Sequence, residues 1–244
     1  MALHFLLDAA TVAGPGDTVT LTGAEAHHAA AVRRVRVGED VTVGDGRGVR
    51  LVGTVASVAP KEVVVTVLAR EETPAQRPRT VLVQALAKGD RDELAVQAAT
   101  ELGIDEIVPW QATRSVSRWE GPKAAKGVAR WDTISREAAK QAHRTWLAEV
   151  TEPVSTRTLA GRAAHCRMLV LEPTADRALT GLDLSGGDSD IVLVVGPEGG
   201  IAPEELVMLT DAGATLVRLG DTVLRTSTAG PVALALVNAA LGRW

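Results

Sequence analysis

The pattern of apolar and polar positions changes near residue 72 and divides the chain into two parts. In the first part, short segments alternate apolar and polar residues or are rich in β-branched residues, as half-buried strands are. Strands are predicted over residues 19–22, 40–43, 49–55 and 62–67, and a short helix over 24–36. Asp45-Gly46 is a hairpin signal between the second and third of these strands. This part is predicted to be a small β-barrel.

The segment 71–78 is polar, contains two prolines and lacks apolar periodicity, so the chain is predicted to divide into domains 1–72 and 73–244. Beyond this boundary, apolar strand segments alternate with helical segments. Strands are predicted over 81–86, 168–171, 191–195 and 216–219, and a further strand begins at 107–109. The predicted helices are 90–102, 129–145 and one after each of the last two strands. Such alternation predicts an α/β domain with a parallel sheet between layers of helices.

Two glycine-bearing loops in the last quarter of the chain mark a candidate site. The loop 195–200 follows the apolar run 191–194, and the loop 219–230 follows the next strand segment. Ligands of open α/β sheets bind where parallel strands end, and glycine allows the backbone to approach a ligand closely. The spacing of the glycines matches neither the dinucleotide-binding fingerprint nor the phosphate-binding loop. A glycine-rich turn by itself is more often structural.

Composition is that of a soluble globular protein, with 46% hydrophobic and 23% charged residues among 244. No apolar stretch approaches the length of a membrane span and the N-terminus lacks a signal-peptide pattern, so a cytoplasmic protein is expected. The single cysteine, Cys166, excludes an internal disulfide and a multi-cysteine metal site. Because no His/Cys/Asp/Glu cluster has metal-ligand spacing and no Ser-His-Asp order stands out, metal-free chemistry is expected.

The net charge of −4 conceals a strong asymmetry along the chain. Between Ala112 and Arg144 lie eight basic and three acidic residues, interleaved with Trp119 and Trp131. From Thr158 onward there are six basic and ten acidic residues. A local basic face is what contact with RNA phosphates requires, although a solvated helix surface has the same composition.

A set of motifs in a fixed order covers nearly the whole chain. They are His27-His28, Val32-Arg33-Arg34, Gly38, Val43–Gly46, Lys88-Gly89, Thr100–Ile104, Arg114, Trp131, Glu137–Gln141, Arg144, Val195–Gly200, Leu219-Gly220 and Val223–Thr226. Each motif alone is unspecific, whereas the joint match in order is specific. In this combination the chain resembles the RsmE family, the 16S ribosomal RNA uridine-N3 methyltransferases of the SPOUT superfamily.

The resemblance implies a fold, a reaction and partners. The implied fold is an N-terminal PUA-like β-barrel that binds RNA, followed by a SPOUT α/β domain with a deep trefoil knot. This second domain would hold the cofactor site and the homodimer interface, for which the apolar C-terminal helix 231–241 is a candidate. The implied reaction transfers a methyl group from S-adenosyl-L-methionine to N3 of uridine 1498 in 16S rRNA, on the assembled small ribosomal subunit. No membrane and no metal are implied.

The resemblance also implies site residues. The cofactor would be enclosed by three loops with the residues Leu171, Glu172, Pro173, Val195, Gly196, Pro197, Glu198, Gly199, Gly200, Leu219, Gly220, Val223, Leu224 and Thr226. RNA would be contacted by His27, His28, Arg33, Arg34, Arg36, Arg114, Arg118 and Lys140. A guanidinium near the uracil carbonyl oxygens would stabilise the deprotonated base, and Arg225 and Arg144 are the catalytic candidates.

Several assignments stay open at this point. Glu198 is either a ligand contact or a cap on its own loop, and His27-His28 either contact phosphate or begin a helix. No general base is evident. His143 is a possible one, but a histidine beside an arginine on a helix is more often a surface residue. The chain departs from the family pattern at Ser227, where a glutamate is usual, and at His4, where an arginine is usual.

Two other functions remain alternatives. A 2′-O-ribose RNA methyltransferase of the same superfamily would present the same kind of cofactor loops. A non-catalytic RNA-binding protein would retain the two domains but would not bind the cofactor.

Overall fold

The computed structural model describes residues 2–244 and divides into two compact units. The first unit contains the chain up to Ala75 together with Ala139–Leu147. The second contains Gln76–Ala138 and Ala148–Trp244. A segment from the middle of the sequence therefore belongs to the N-terminal unit.

The first unit is built on a five-stranded sheet with the strand order β1-β3-β4-β5-β2. Its strands are β1 (Leu3–Leu6), β2 (Thr18–Thr22), β3 (Asp40–Gly44), β4 (Val49–Ala59) and β5 (Glu62–Glu72). The β1–β3 pair is parallel and the other pairs are antiparallel. Alternating apolar residues such as Leu21, Leu51 and Val65 point to one face and form a single core. The pairing leaves β1 and β2 as the outer strands of the sheet.

The helix predicted over 24–36 is shorter in the structure. A five-residue helix, α1 (Gly23–His27), continues as one π-helical turn over His28–Val32. Arg34 then adopts a left-handed backbone conformation with φ 55°, which ends the helical path.

The second unit contains a parallel sheet with the strand order β12-β10-β11-β6-β7-β8, and β9 also pairs with β7. The strands are β6 (Thr80–Ala85), β7 (Glu106–Gln111), β8 (Glu149–Val150), β9 (Val154–Ser155), β10 (Arg167–Leu171), β11 (Ile191–Val195) and β12 (Thr215–Val217). Every residue of β6 and β11 is buried, as expected for strands covered on both faces. Apolar clusters lie on both faces of the sheet.

Helices connect these strands and cover the sheet. They are α2 (Arg91–Glu101), α3 (Pro122–Gln141), α4 (Thr156–Ala163), α5 (Pro203–Asp211) and α6 (Thr226–Ala240). Helix α4 and the short strands β1, β8 and β9 were not predicted from the sequence. Gly230 of α6 faces Leu82 and Val195, and a Cβ atom there would lie 2.9 Å from Leu82. The absence of a side chain thus lets α6 approach the sheet closely.

Helix α3 begins and ends earlier than the predicted range 129–145. It ends because His143 takes a left-handed conformation with φ 54°. The amide of Arg144 donates to the carbonyl of Ala139, and the amide of His143 donates to that of Lys140. This pair of bonds is a Schellman motif with a histidine at the position where glycine is usual.

The segment Ala139–Leu147 packs on the first sheet. His143 stacks on His4, with ring centroids 5.2 Å apart. Leu147 covers Gly46, where a Cβ atom would lie only 2.6 Å from the leucine side chain. The segment is thus held to the sheet at several points.

Candidate functional site

The carboxyl ends of β10, β11 and β12 lie side by side. Leu171 is in register with Val195 on one neighbouring strand and with Val217 on the other. Because the strands are parallel, the loops that follow them leave the sheet at the same edge. These loops enclose a cavity of about 410 Å³.

The cavity is lined by residues from all three loops and from the first turns of α2 and α6. They are Arg91, Leu171, Glu172, Pro173, Val195, Gly196, Pro197, Glu198, Gly200, Ile201, Val217, Arg218, Leu219, Gly220, Thr222, Val223, Leu224, Arg225, Thr226 and Ala229. Every residue predicted to bind the cofactor is among them except Gly199. The structure therefore brings together three loops that begin more than twenty residues apart in the sequence. Their role as cofactor ligands stays a prediction.

The glycine loop after β11 is held in shape by close packing and a turn. Gly196 faces Ile201, and a Cβ atom at Gly196 would lie 2.6 Å from the isoleucine side chain. Gly200 has φ +72°, a conformation that residues other than glycine rarely adopt, and its amide donates to the carbonyl of Pro197. The glycines at these two positions are required by the local geometry.

The start of α6 is hydrogen-bonded to the same loop. Thr226 Oγ1 donates to the carbonyl oxygen of Gly196 over 2.8 Å. The same hydroxyl accepts a hydrogen bond of 2.8 Å from Nε2 of Gln84, a fully buried residue of β6. The hydroxyl group therefore connects three elements beneath the cavity.

Glu198 connects the glycine loop to the loop after β6. Its Oε1 atom accepts hydrogen bonds from the backbone amide of Lys88 at 3.1 Å and from Nη1 of Arg91 at 2.9 Å. Burial raises the pKa of this carboxyl, but the hydrogen bonds from its own amide and that of Lys88, together with Arg91, outweigh burial and lower the pKa. Glu198 is thus ionised at the edge of the cavity.

The loop after β10 is braced by Arg218. The Arg218 guanidinium donates to the carbonyl oxygens of Ala175, at 3.0 Å, and Asp176. Its backbone amide donates to the carbonyl of Arg177. Since Arg218 immediately follows β12, these bonds fix two of the three cavity loops to each other.

Arg225, the first catalytic candidate, lies at the cavity and is exposed. It is the N-cap residue of α6, and its carbonyl accepts hydrogen bonds from the amides of Thr228 and Ala229. The side chain is not needed for these bonds. Arg144, the second candidate, belongs to the first unit with His143 and does not line the described cavity.

Arg114 has a contact that the sequence did not suggest. Its Nη1 atom donates to the carbonyl of Gly199 over 3.1 Å, from outside the cavity lining. Arg118, in the same loop after β7, is exposed. Arg114 is thus in contact with the glycine loop, and the assignment of both arginines to RNA stays a prediction.

The cations predicted to contact RNA in the first unit differ in exposure. His27 precedes the π-helical turn, and Arg33, Arg34 and Arg36 follow it; all four are exposed, whereas His28 is half-buried. These side chains are accessible to a phosphate backbone.

Lys140 requires a correction. It was predicted to contact RNA from the surface of α3, but its side chain is only 6% exposed. Its Nζ atom lies 2.8 Å from Oε1 of the buried Glu25 and 3.3 Å from Nδ1 of His28. The ammonium group is therefore part of the interior of the first unit, where it offsets the charge of Glu25.

Two further features are absent from residues 2–244. None of the helices there is long and apolar enough to cross a membrane. No group of three or more His, Cys, Asp or Glu side chains in this part of the chain is arranged to hold a metal ion.

Comparison with known proteins identifies both parts of the chain. Residues 74–238 match the model of an RNA methyltransferase domain, and residues 21–68 match that of an RNA methyltransferase PUA domain. Ribosomal RNA small subunit methyltransferase E of Mycobacterium tuberculosis is 44% identical, covering 100% of this chain and 94% of that protein. The protein of the same name from Bacillus subtilis is 30% identical, and the match covers 91% of this chain and 90% of that protein.

Solved structures agree with this result. A methyltransferase from Legionella pneumophila, in complex with S-adenosylmethionine, superimposes with a TM-score of 0.88 at 28% identity and 98% coverage of both chains. Ribosomal RNA small subunit methyltransferase E of Neisseria gonorrhoeae, also bound to S-adenosylmethionine, superimposes with a TM-score of 0.86 at 27% identity and 98% coverage of both chains. From these matches, the chain belongs to the ribosomal RNA small subunit methyltransferase E family and combines a PUA-like domain with an RNA methyltransferase domain.

Proposed function

We propose that this protein transfers a methyl group from S-adenosylmethionine to N3 of uridine 1498 in 16S rRNA, on the assembled small ribosomal subunit. The observation that supports this most is the cavity formed by three loops at the ends of adjacent parallel strands, in a chain of this family. The reaction follows the name of the relatives, and the uridine position follows the resemblance of the motifs.

The cavity fits the cofactor in size and chemistry. Its volume of about 410 Å³ is in the range of roughly 300–1,000 Å³ found for small-molecule sites. Leu171, Leu219 and Leu224 provide apolar side chains for an adenine ring. Within residues 2–244, the backbone amides of Leu219, Gly220 and Leu224 donate to no other protein group and can bind the adenine edge or ribose.

Bound S-adenosylmethionine would supply an activated methyl group on a positively charged sulfur. The chain has to place N3 of the uracil in line with that group and favour loss of the N3 proton. Arg225 is exposed at the cavity, and its guanidinium can donate to a uracil carbonyl oxygen and stabilise the anion. Arg144 is the second candidate for this role.

RNA would be held by phosphate contacts on both sequence domains, 1–72 and 73–244. The exposed cations His27, Arg33, Arg34 and Arg36 support this for the first domain. Arg114 and Arg118 would serve in the second. Such contacts position the substrate but do not take part in the chemistry.

Three finer features of the family are included in the proposal. We infer a trefoil knot, a homodimer and a cytoplasmic location. The mutual bracing of the loops around Arg218 and Ala175 is compatible with a knotted path, and a groove between α2 and α6 that contains the exposed Leu94 offers a dimer surface. An unknotted chain in an experimental density map would contradict the knot, and a monomer in light scattering would contradict the homodimer.

Nucleoside analysis tests the proposed reaction. Small ribosomal subunits from cells that lack this methyltransferase are incubated with the protein and S-adenosylmethionine, digested and analysed by mass spectrometry. The expected product is 3-methyluridine in the fragment containing position 1498. A ribose-methylated nucleoside would favour the 2′-O-methyltransferase, and cofactor binding without any product would contradict the assignment.

A further inference from the structure

Arg91 lines the cavity but was not predicted from the sequence as a site residue. It is the first residue of α2, where the partial positive charge of the helix dipole disfavours a cation. The acids that follow it, Asp92 and Glu93, have the charge expected at this end of a helix. An arginine at this position therefore calls for a reason other than helix stability.

The turn that leads into α2 fixes the position of Arg91. Asp92 is 5% exposed, and its carboxylate accepts hydrogen bonds from the amides of Ala87 at 3.0 Å and Glu93 at 2.9 Å. Gly89 in this turn has φ +77°. The backbone at Arg91 is thus defined before any ligand binds.

Glu198 fixes the side chain of Arg91. The Glu198–Arg91 bond uses Nη1 of the arginine and Oε1 of the glutamate at 2.9 Å, and the amide of Lys88 donates to the same oxygen. The arginine side chain remains 43% exposed and the glutamate side chain 25% exposed. An oriented pair of opposite charges therefore faces the cavity, with further guanidinium donors for a ligand.

The other charged groups in the cavity are engaged differently. Arg218 donates to the carbonyls of Ala175 and Asp176, and Glu172 accepts from the amide and hydroxyl of Thr174. Arg225 is assigned above to the uracil. Arg91 and Glu198 are the lining pair whose charges match a zwitterion.

We propose that Arg91 and Glu198 bind the amino-acid end of S-adenosylmethionine, with Arg91 taking the α-carboxylate and Glu198 the α-ammonium group. The inference rests on the proposed function, because it assigns a part of the same cofactor. A guanidinium binds a carboxylate through two parallel hydrogen bonds, so the pair favours ligands that retain the amino acid. The loop after β6 thereby joins the three loops already assigned to the site.

Two ligands that differ in the amino-acid end test this assignment. S-adenosylhomocysteine contains the amino-acid end, whereas 5′-methylthioadenosine lacks this end but keeps the adenosine and the sulfur. Calorimetric titrations compare both ligands for the wild type, Arg91→Ala and Glu198→Gln. Arg157→Ala is the matched control, because Arg157 is an exposed arginine of α4 that does not line the cavity. The melting temperature of each variant reports folding.

The expected result is a selective loss. Arg91→Ala lowers the affinity for S-adenosylhomocysteine by about 10- to 100-fold and changes the affinity for 5′-methylthioadenosine by less than about twofold. Glu198→Gln gives a smaller loss in the same direction, and Arg157→Ala leaves both affinities unchanged. Equal losses for the two ligands, or no loss, in Arg91→Ala would overturn this inference while leaving the proposed function intact. A wild type that binds neither ligand would overturn both.

Discussion

The hydroxyl of Thr226 and the carbonyl of Gly196 are hydrogen-bonded at 2.8 Å, which joins the first turn of α6 to the glycine loop. The hydroxyl also accepts from Gln84 in the centre of the sheet. Gln84 Oε1 has no hydrogen-bond donor among residues 2–244, so Thr226 is the side-chain partner on which this buried amide depends. The geometry of the cavity floor therefore relies on one hydroxyl group.

Replacing this hydroxyl tests its importance. Thr226→Val keeps the shape of the side chain but leaves the Gly196 carbonyl and the Gln84 amide without this partner. We expect the free energy of unfolding to fall by about 1–3 kcal/mol. S-adenosylhomocysteine should also bind more weakly. Denaturant unfolding and calorimetry measure the two effects, and Thr228→Val, at an exposed position of the same turn, is the control. Equal behaviour of the two variants would contradict this role.

Arg225→Ala should separate catalysis from folding and cofactor binding. The side chain is exposed and α6 is capped through the Arg225 backbone, so the melting temperature should not change. Methyl transfer to small subunits should fall by at least about 100-fold, the effect of removing one preorganised donor to a developing anion. Single-turnover rates measure the loss. Arg225→Lys retains the charge and should retain part of the rate; turnover of Arg225→Ala at the wild-type rate would refute the assignment.

The Lys140–Glu25 pair is expected to act on stability. Lys140→Met leaves a buried carboxylate at Glu25 without its ammonium partner and should lower the free energy of unfolding by about 3–5 kcal/mol. The double variant with Glu25→Gln should recover much of the loss. Urea unfolding of the wild type, the two single variants and the double variant gives the coupling free energy between Lys140 and Glu25. If Lys140→Met instead keeps full stability and weakens RNA binding, the original assignment to RNA is correct.

His4 makes the first unit sensitive to acid. Burial, then the nearby charges of His143, Arg50 and Lys140, lowers the pKa of His4 from 6.5 to about 4. Between these values the unfolded chain binds more protons than the folded one. The stability contributed by neutral His4 is therefore complete above pH 6.5 and is lost as the pH falls towards 4, on the order of 3 kcal/mol.

Unfolding free energies of the wild type and His4→Gln across this pH range check the prediction. The difference in unfolding free energy between the two proteins should shrink as the pH falls. Taking this difference removes the effect of carboxylates that titrate in both proteins. His27→Gln, at an exposed position, should run parallel to the wild type. A constant difference between wild type and His4→Gln would contradict the burial effect.

The sequence predicted those parts of the site that depend on strand ends. The loops at Leu171, Gly196 and Leu219 converge because their strands are parallel neighbours, and apolar runs followed by glycine identify such strands. Five of the seven strands of the second unit, β6, β7, β10, β11 and β12, and most of its helices follow from the same patterns. The resemblance to the family then assigned the loops to a cofactor.

Features that depend on distant side chains were not predictable in this way. Lys140 has the spacing of a surface residue, and its burial depends on Glu25, which lies 115 positions earlier. Arg91 becomes a site residue through Glu198, 107 positions later. The end of α3 depends on the left-handed conformation of His143, for which the sequence contains no glycine signal. In each case a long-range contact overrides the local pattern.

Filling the cavity with a side chain is the decisive test of whether S-adenosylmethionine binds there. Gly220 lines the cavity, has no left-handed backbone requirement, and a Cβ atom there meets no atom within 4 Å. Gly220→Leu should therefore fold normally but occupy the cofactor space. Gly161→Leu, which also extends into open space but on α4, is the control. Calorimetric titration with S-adenosylhomocysteine should give binding to the wild type and Gly161→Leu, and none to Gly220→Leu at unchanged melting temperature. Undiminished binding to Gly220→Leu, or no binding to the wild type, would mean that this cavity is not a binding site for S-adenosylmethionine.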